Sequence, residues 1–179
     1  MVDDEPVTQS VELVLDEALD ALVRSDWAAL AAAGLPSQAR HRSASNRPHV
    51  TLAAMKAVDA ALEPQMVRAL GDFPLPVRLG ALSVFGRDRF VLVRAVVPDI
   101  ELLRRQALLG AVLGAGAELP YMGAGHWVPH VTLAHRMTAD QVAVALSVVR
   151  GPREADGYAV GVRRWDGDAR REWLLAGAG

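Results

Sequence analysis

A chain of 179 residues that is 51% hydrophobic, with a formal net charge of −2, carries enough apolar material for a folded domain and does not read as disordered. It contains no cysteine, which removes disulfides, thiolate metal sites and cysteine nucleophiles and fits a reducing cytoplasm, the expected compartment. The small net charge excludes a bulk electrostatic grip on long nucleic acid, and no apolar run reaches the roughly 18 residues of a membrane span, so no membrane partner is expected.

The first residues, through Gln9, read as a flexible tail. Their acidic start, Met1-Val-Asp-Asp-Glu-Pro6, is unlike a secretory signal or a basic targeting peptide. Residues 10–179 are expected to form one domain. Val11 to Leu15 is a short apolar run that predicts a strand. From Asp16 to Ala33 the period becomes helical, with Leu19, Leu22, Val23, Trp27 and Leu30 spaced by three or four. Gly34-Leu-Pro36 ends that helix, and a polar loop, Ser37 to Arg47, leads to Pro48 and His49. Ala57 to Leu70 predicts a second helix and Val77 to Phe85 a strand, followed by a hairpin turn at Gly86-Arg-Asp-Arg89.

The same order of parts then recurs. Phe90 to Val97 predicts a strand, Pro98 a turn and Ile100 to Leu113 a helix. A glycine-rich connection, Gly114 to Gly125, precedes Pro129 and His130. Ala139 to Val149 predicts a helix, Tyr158 to Trp165 a strand, Asp166-Gly-Asp168 a turn and Glu172 to Ala176 a last strand. The offsets agree: Val11 stands 38 residues before His49 and Val91 39 residues before His130. One unit used twice predicts a pseudo-symmetric pair of α+β lobes. The string Pro-His-Val-Thr-Leu-Ala occurs at 48–53 and again, unchanged, at 129–134. Loose recurrence is common in α+β chains, but an identical hexapeptide is not.

In a strand the side chains alternate, so His49 and Thr51 share one face while Val50 and Leu52 share the other. The second copy does the same with His130 and Thr132. Two such strands facing each other would gather two imidazoles and two hydroxyls around one small volume. That set suits the opening of a cyclic phosphodiester. One histidine, neutral, takes a proton from the attacking oxygen, and the other, protonated, gives one to the departing oxygen. An ordinary histidine pKa of about 6.5 allows both states near neutrality. The threonine hydroxyls can donate to phosphate oxygens.

Two His-x-Thr-x motifs about eighty residues apart, each after a strand and a helix, resemble the two-histidine (2H) phosphoesterase superfamily, most closely its bacterial 2′-5′ RNA ligase-like group. The resemblance spans Val11 to Ala176. It implies an α+β, bilobal fold with two antiparallel sheets flanking a central cleft and helices outside. It implies metal-independent hydrolysis of 2′,3′-cyclic phosphates of RNA ends or nucleotides to 2′-phosphates, with ligation as the reverse direction. No cofactor is expected. It also implies that His49 is the acid and His130 the base, which nothing in the local sequence distinguishes. Members often place arginine directly after the second motif, whereas here Ala134 is followed by His135 and Arg136. Phenylalanine and glycine commonly follow the first motif, where this chain has Ala53-Ala54-Met55.

Around the motifs, Arg42 and Arg47 in the polar loop, with His135 and Arg136 after the second motif, are candidate substrate contacts. Trp165 reads as a packed core residue in preference to a platform for a base. His126 and His130 lie four apart, a zinc-like spacing on a helix. This segment is not helical and no carboxylate lies near these histidines in sequence, so no metal is expected. The expected partner is a nucleotide or short RNA, and the expected state a monomer. Other substrates of the same chemistry (an ADP-ribose cyclic phosphate or a 2′-5′-linked oligonucleotide) stay open, as does a non-catalytic nucleotide-binding module.

Overall fold

The structure is a computed structural model and describes residues 9–114, 122–123 and 125–178. The expected tail therefore lies outside the described residues except for Gln9, which already belongs to a strand, and most of the glycine-rich connection lies outside them too. Among the described residues are seven strands and four helices. None of the helices is long and apolar enough to cross a membrane.

Strand β1 (Gln9–Leu15) is buried along its whole length. Helix α1 (Glu17–Ala32) starts where the Asp16 carboxylate accepts the Leu19 N–H at 2.9 Å, and it turns Leu19, Val23, Trp27 and Leu30 inward. Gly34, at φ 74°, follows its end. The polar loop contains one 3₁₀ turn, Gln38–Arg40, and delivers the chain to β2 (His49–Met55). The expected helix from Ala57 begins later, as a 3₁₀ turn at Ala60–Leu62 running into α2 (Glu63–Leu70). Asp59 supplies the reason, because its side chain caps Ala61 N–H at 2.9 Å and so starts the turn there.

Strands β3 (Leu75–Gly86) and β4 (Phe90–Val97) form the expected hairpin. Its corner needs glycine: Gly86 has φ 104°, and a Cβ there would stand 2.3 Å from the Arg89 carbonyl oxygen. Helix α3 (Ile100–Leu113) is capped by Asp99, and β5 (His130–Met137) follows the second proline. A capping box of Thr138 and Gln141 opens α4 (Ala139–Val148). Strands β6 (Ala155–Asp166) and β7 (Arg171–Gly177) complete the chain.

All strand pairs are antiparallel and run in one path, β2-β1-β6-β3-β4-β5, with β7 also on β6. The path reads the same from either end when β1, β2 and β3 are exchanged for β4, β5 and β6. That is the sequence repeat made visible. Each unit gives its third strand away: β6 pairs with β1, and β3 pairs with β4. The two expected antiparallel sheets are thus two halves of one hydrogen-bonded path, joined by a short ladder from Leu75–Ala159 to Leu79–Ala155. Ala159 pairs with both Leu15 and Leu75, so β1 and β3 take opposite edges of β6.

The helices cover the apolar face, where Leu13, Val50, Leu52, Leu92, Val131 and Leu133 are almost fully buried. Several charged side chains are buried among the described residues, Arg94 and Arg164 most deeply. Arg94 of β4 is 2% exposed and its Nε donates to the Asp26 carboxylate of α1 at 2.5 Å.

Candidate active site

Strands β2 and β5 are the two ends of the sheet path, and their first four residues show the same alternation of half-buried and buried positions. In each, the valine and leucine enter the core, which leaves histidine and threonine together on the other face. The strands are also set alike against their neighbours. Thr51 pairs with Glu12 and His49 with Val14, while Thr132 pairs with Val93 and His130 with Ala95.

Both imidazoles are fixed in the same way. His49 Nδ1 lies 2.8 Å from the Arg47 carbonyl oxygen and His130 Nδ1 lies 2.7 Å from that of Val128. A carbonyl only accepts, so each Nδ1 carries the hydrogen and each Nε2 is left for proton chemistry. The intervening residues, Pro48 and Pro129, hold the backbone turn that brings carbonyl and ring together.

The outer edges of the two motif strands are tied across the molecule. The Trp27 indole N–H of α1 donates to the Thr132 carbonyl at 3.0 Å. The Trp127 indole N–H donates to the Thr51 carbonyl, also at 3.0 Å. Gln106 of α3 adds a longer bond, 3.4 Å, to the Leu52 carbonyl. The sequence gives little sign of these ties. The place equivalent to Trp127, three residues before His49, is Asn46.

Between the two halves lies a cleft of about 480 Å³, lined by His49, Thr51 and Thr132 from the motifs and by Glu12 and Arg163 behind them. Trp27 and Trp165 form part of its wall, and His41, Asn46, Arg47 and His135 reach it from loops and strand ends. His130 is not among the described lining residues. Its ring packs edge-on against Phe85, with centroids 4.9 Å apart and planes at 74°, beside Val131 and Thr132, which do line the cleft. Burial lowers the His130 pKa below 6.5, the Val128 carbonyl opposes that shift, and the nearby His49 adds to the lowering. The two rings are therefore within electrostatic reach of each other, and His130 favours its neutral form.

His49 has different company. Its Nε2 stands 3.6 Å from Glu12 Oε1. Glu12 is 5% exposed, accepts the Ser10 hydroxyl at 2.6 Å and accepts Arg163 Nε at 2.8 Å. Burial works to raise the Glu12 pKa, but attraction to His49 and Arg163, with the hydrogen bonds from Ser10 and Arg163, holds it below the ordinary carboxylate value. Glu12 was not expected from the sequence, although a glutamate inside the apolar run Val11–Leu15 was a signal that could have marked it.

The candidate substrate contacts separate. Arg47 and His135 line the cleft. Arg42 is exposed and lines a neighbouring depression with Arg24, Trp27 and His41. Arg136, expected beside His135, is not among the described lining residues. The ladder shows why: Ala134 pairs with Leu92 and Met137 with Phe90, so β5 carries one extra residue there, and Arg136 takes the left-handed φ of 56° that this bulge demands. Trp165 corrects the expectation of a packed core residue, since it is half-buried and faces the cleft. Arg163, two residues before it, is instead buried and bound to Glu12. His126 lies in a turn and His130 in a strand, so their spacing of four does not place them on one helical face.

Residues 16–169 match the family described as the 2′-5′ RNA ligase superfamily. No curated protein matches the sequence. Among solved structures the fold is similar to that of E. coli LigT complexed with 3′-AMP, at TM-score 0.56 and 18% identity over 96% of this chain and 99% of that one. It is similar also to E. coli LigT complexed with NADP⁺, at TM-score 0.53 and 18% identity over 97% and 99%. Kluyveromyces marxianus Usb1 follows at TM-score 0.52 and 14% identity over 94% and 97%. At these identities the likeness is one of fold.

Proposed function

The chain belongs to the 2′-5′ RNA ligase superfamily of 2H phosphoesterases, and on that premise we propose that it hydrolyses 2′,3′-cyclic phosphates of nucleotides or RNA ends to 2′-phosphates. The observation that carries this reading is the pair of Nδ1-anchored imidazoles, on twin strands, within electrostatic reach of each other beside one cleft.

His130, which favours its neutral form, takes a proton from water on Nε2 as the water oxygen attacks phosphorus. The bond from phosphorus to the ribose O3′ breaks, and His49 gives its Nε2 proton to that oxygen. The product is a 2′-phosphate with a free 3′-hydroxyl. Thr51 and Thr132 donate hydrogen bonds to the non-bridging oxygens, where charge builds in the five-coordinate state. Arg47 and His135 supply positive or polar contacts for the rest of the nucleotide. A nucleotide-sized group suits a cleft of about 480 Å³. The complex of E. coli LigT with 3′-AMP gives this reading a parallel of like fold.

The test is turnover of nucleoside 2′,3′-cyclic phosphates followed by ³¹P NMR. His49→Ala and His130→Ala are each expected to lower kcat by roughly 10²- to 10⁴-fold, with circular dichroism unchanged and no effect of a chelator on the wild type. Undiminished turnover in either variant, or a 3′-phosphate product, would rule the scheme out.

A further inference from the structure

The two motif strands are alike, but the strands behind them are not. In the first half, Thr51 pairs with Glu12 and Glu12 with Arg163. In the second half the equivalent row is Thr132, Val93 and Ser83. A carboxylate and a guanidinium thus stand behind His49, where a valine and a serine stand behind His130.

The charges in that row do not cancel. Arg163 donates from Nε to Glu12 and from Nη1 to both Glu172 of β7 and the Ser45 carbonyl. One guanidinium is shared between two carboxylates, which leaves one negative charge uncompensated. Within the cluster, Glu12 Oε1 lies 3.6 Å from His49 Nε2. Burying such a charge is costly unless a cation meets it, and the His49 imidazole, 3.6 Å away, is a group that can become that cation.

We propose that Glu12 is a positioning residue that keeps the proton on His49, so that His49 enters the reaction as the acid and His130 as the base. The proposal rests on the function given above and adds what the twin motifs do not contain, a reason for the division of roles. The remaining titratable and charged groups facing this pair are Arg163 of β6, Glu172 of β7, His130 across the cleft, and His41, Arg47 and His135 on its wall. Glu12 and Glu172 favour a positive His49 and the others do not, so the Glu12 cluster decides the sign.

The experiment is a comparison of wild type, Glu12→Gln, Glu12→Asp and Glu172→Gln. Glu12→Gln keeps an oxygen for Arg163 and removes the charge, with an NH₂ in place of the oxygen that accepts from Ser10. Glu172→Gln leaves Glu12 in place but lets Arg163 neutralise it fully, and it alters a partly exposed side chain. At pH 7 the His49 ring ¹⁵N resonances are expected to move toward those of a neutral imidazole in Glu12→Gln, less so in Glu172→Gln, with partial return in Glu12→Asp. At pH 8 kcat should fall about tenfold in Glu12→Gln with KM within twofold, a part of what a general acid contributes, and the alkaline limb of the profile should move to lower pH. An unmoved resonance and an unmoved alkaline limb, whatever the loss of melting temperature, would overturn the proposal and leave Glu12 a structural partner of Arg163. The NMR shifts in a protein whose wild type opens no cyclic phosphate would instead uphold the pairing and sink the proposed reaction.

Discussion

Asp26→Ala should be among the most destabilising single changes in the protein, and its cost can be worked from the surroundings of Arg94. Arg94 is 2% exposed and Asp26 3%. The guanidinium donates to Asp26 from Nε at 2.5 Å and from Nη2 at 3.4 Å, while Nη1 reaches the Pro152 carbonyl at 2.9 Å and the Gly80 carbonyl at 3.5 Å. Without Asp26 the charge stays buried with two carbonyls and no counter-ion. Removing one partner of a buried pair typically costs about 3–5 kcal/mol. The two remaining carbonyls put this case near the lower end, about 3–4 kcal/mol. For a domain of this size that is a fall in Tm of roughly 6–16 °C. Urea denaturation followed by circular dichroism measures it, with Asp26→Leu/Arg94→Met as the companion. The double replacement removes both charges and should lie within about 1 kcal/mol of wild type or above it. A cost below about 1 kcal/mol for Asp26→Ala, or a double variant as unstable as the single, would refute the reasoning. Because Trp27 is the next residue on α1 and its indole holds the Thr132 carbonyl, Asp26→Ala should also lower turnover beyond what the loss of folded protein explains.

Two further outcomes follow from the site. His130 must be neutral to accept a proton, and burial lowers its pKa, so the acidic limb of kcat/KM should lie below pH 6.5, with activity lost as pH falls through it; a limb at or above pH 6.5 would contradict the role given to His130. Trp127→Phe removes the donor to the Thr51 carbonyl, which should cost about 1 kcal/mol of stability by denaturant titration and lower kcat more than KM.

Much of this protein is legible in its sequence because local rules and tertiary burial agree. The hexapeptides predict strands, and β2 and β5 begin at the two histidines. Asp16 and Asp99 cap helices at the predicted places, and α3 spans the predicted residues. What the sequence hides is who pairs with whom. Nothing in the period of Val77–Phe85 or Tyr158–Trp165 says that these strands are exchanged between units, since alternation fixes a face and not a neighbour. Glu12 and Arg163 are 151 positions apart, and only the exchange makes them adjacent. Arg136 misled for a related reason: its position after the motif suggested a cleft contact, and a one-residue bulge turned it elsewhere.

That exchange bears on how the site works. A duplicated motif yields two equal histidines, whereas proton transfer through a phosphodiester needs one loaded and one empty. Inequality within the motifs would have meant altering residues proposed to bind phosphate or residues that build the core. Here the difference lies one and two strands back, in Glu12 of the first unit and Arg163 contributed by the second. The indole of Trp27, from the first unit, in turn fixes the strand of His130. Each motif strand is therefore tied to the unit that does not carry it, β5 through Trp27 and β2 through Trp127. On the proposed roles neither unit alone would hold a working site, and a motion that parted the halves would disturb both the alignment of the rings and the charge proposed to tell them apart.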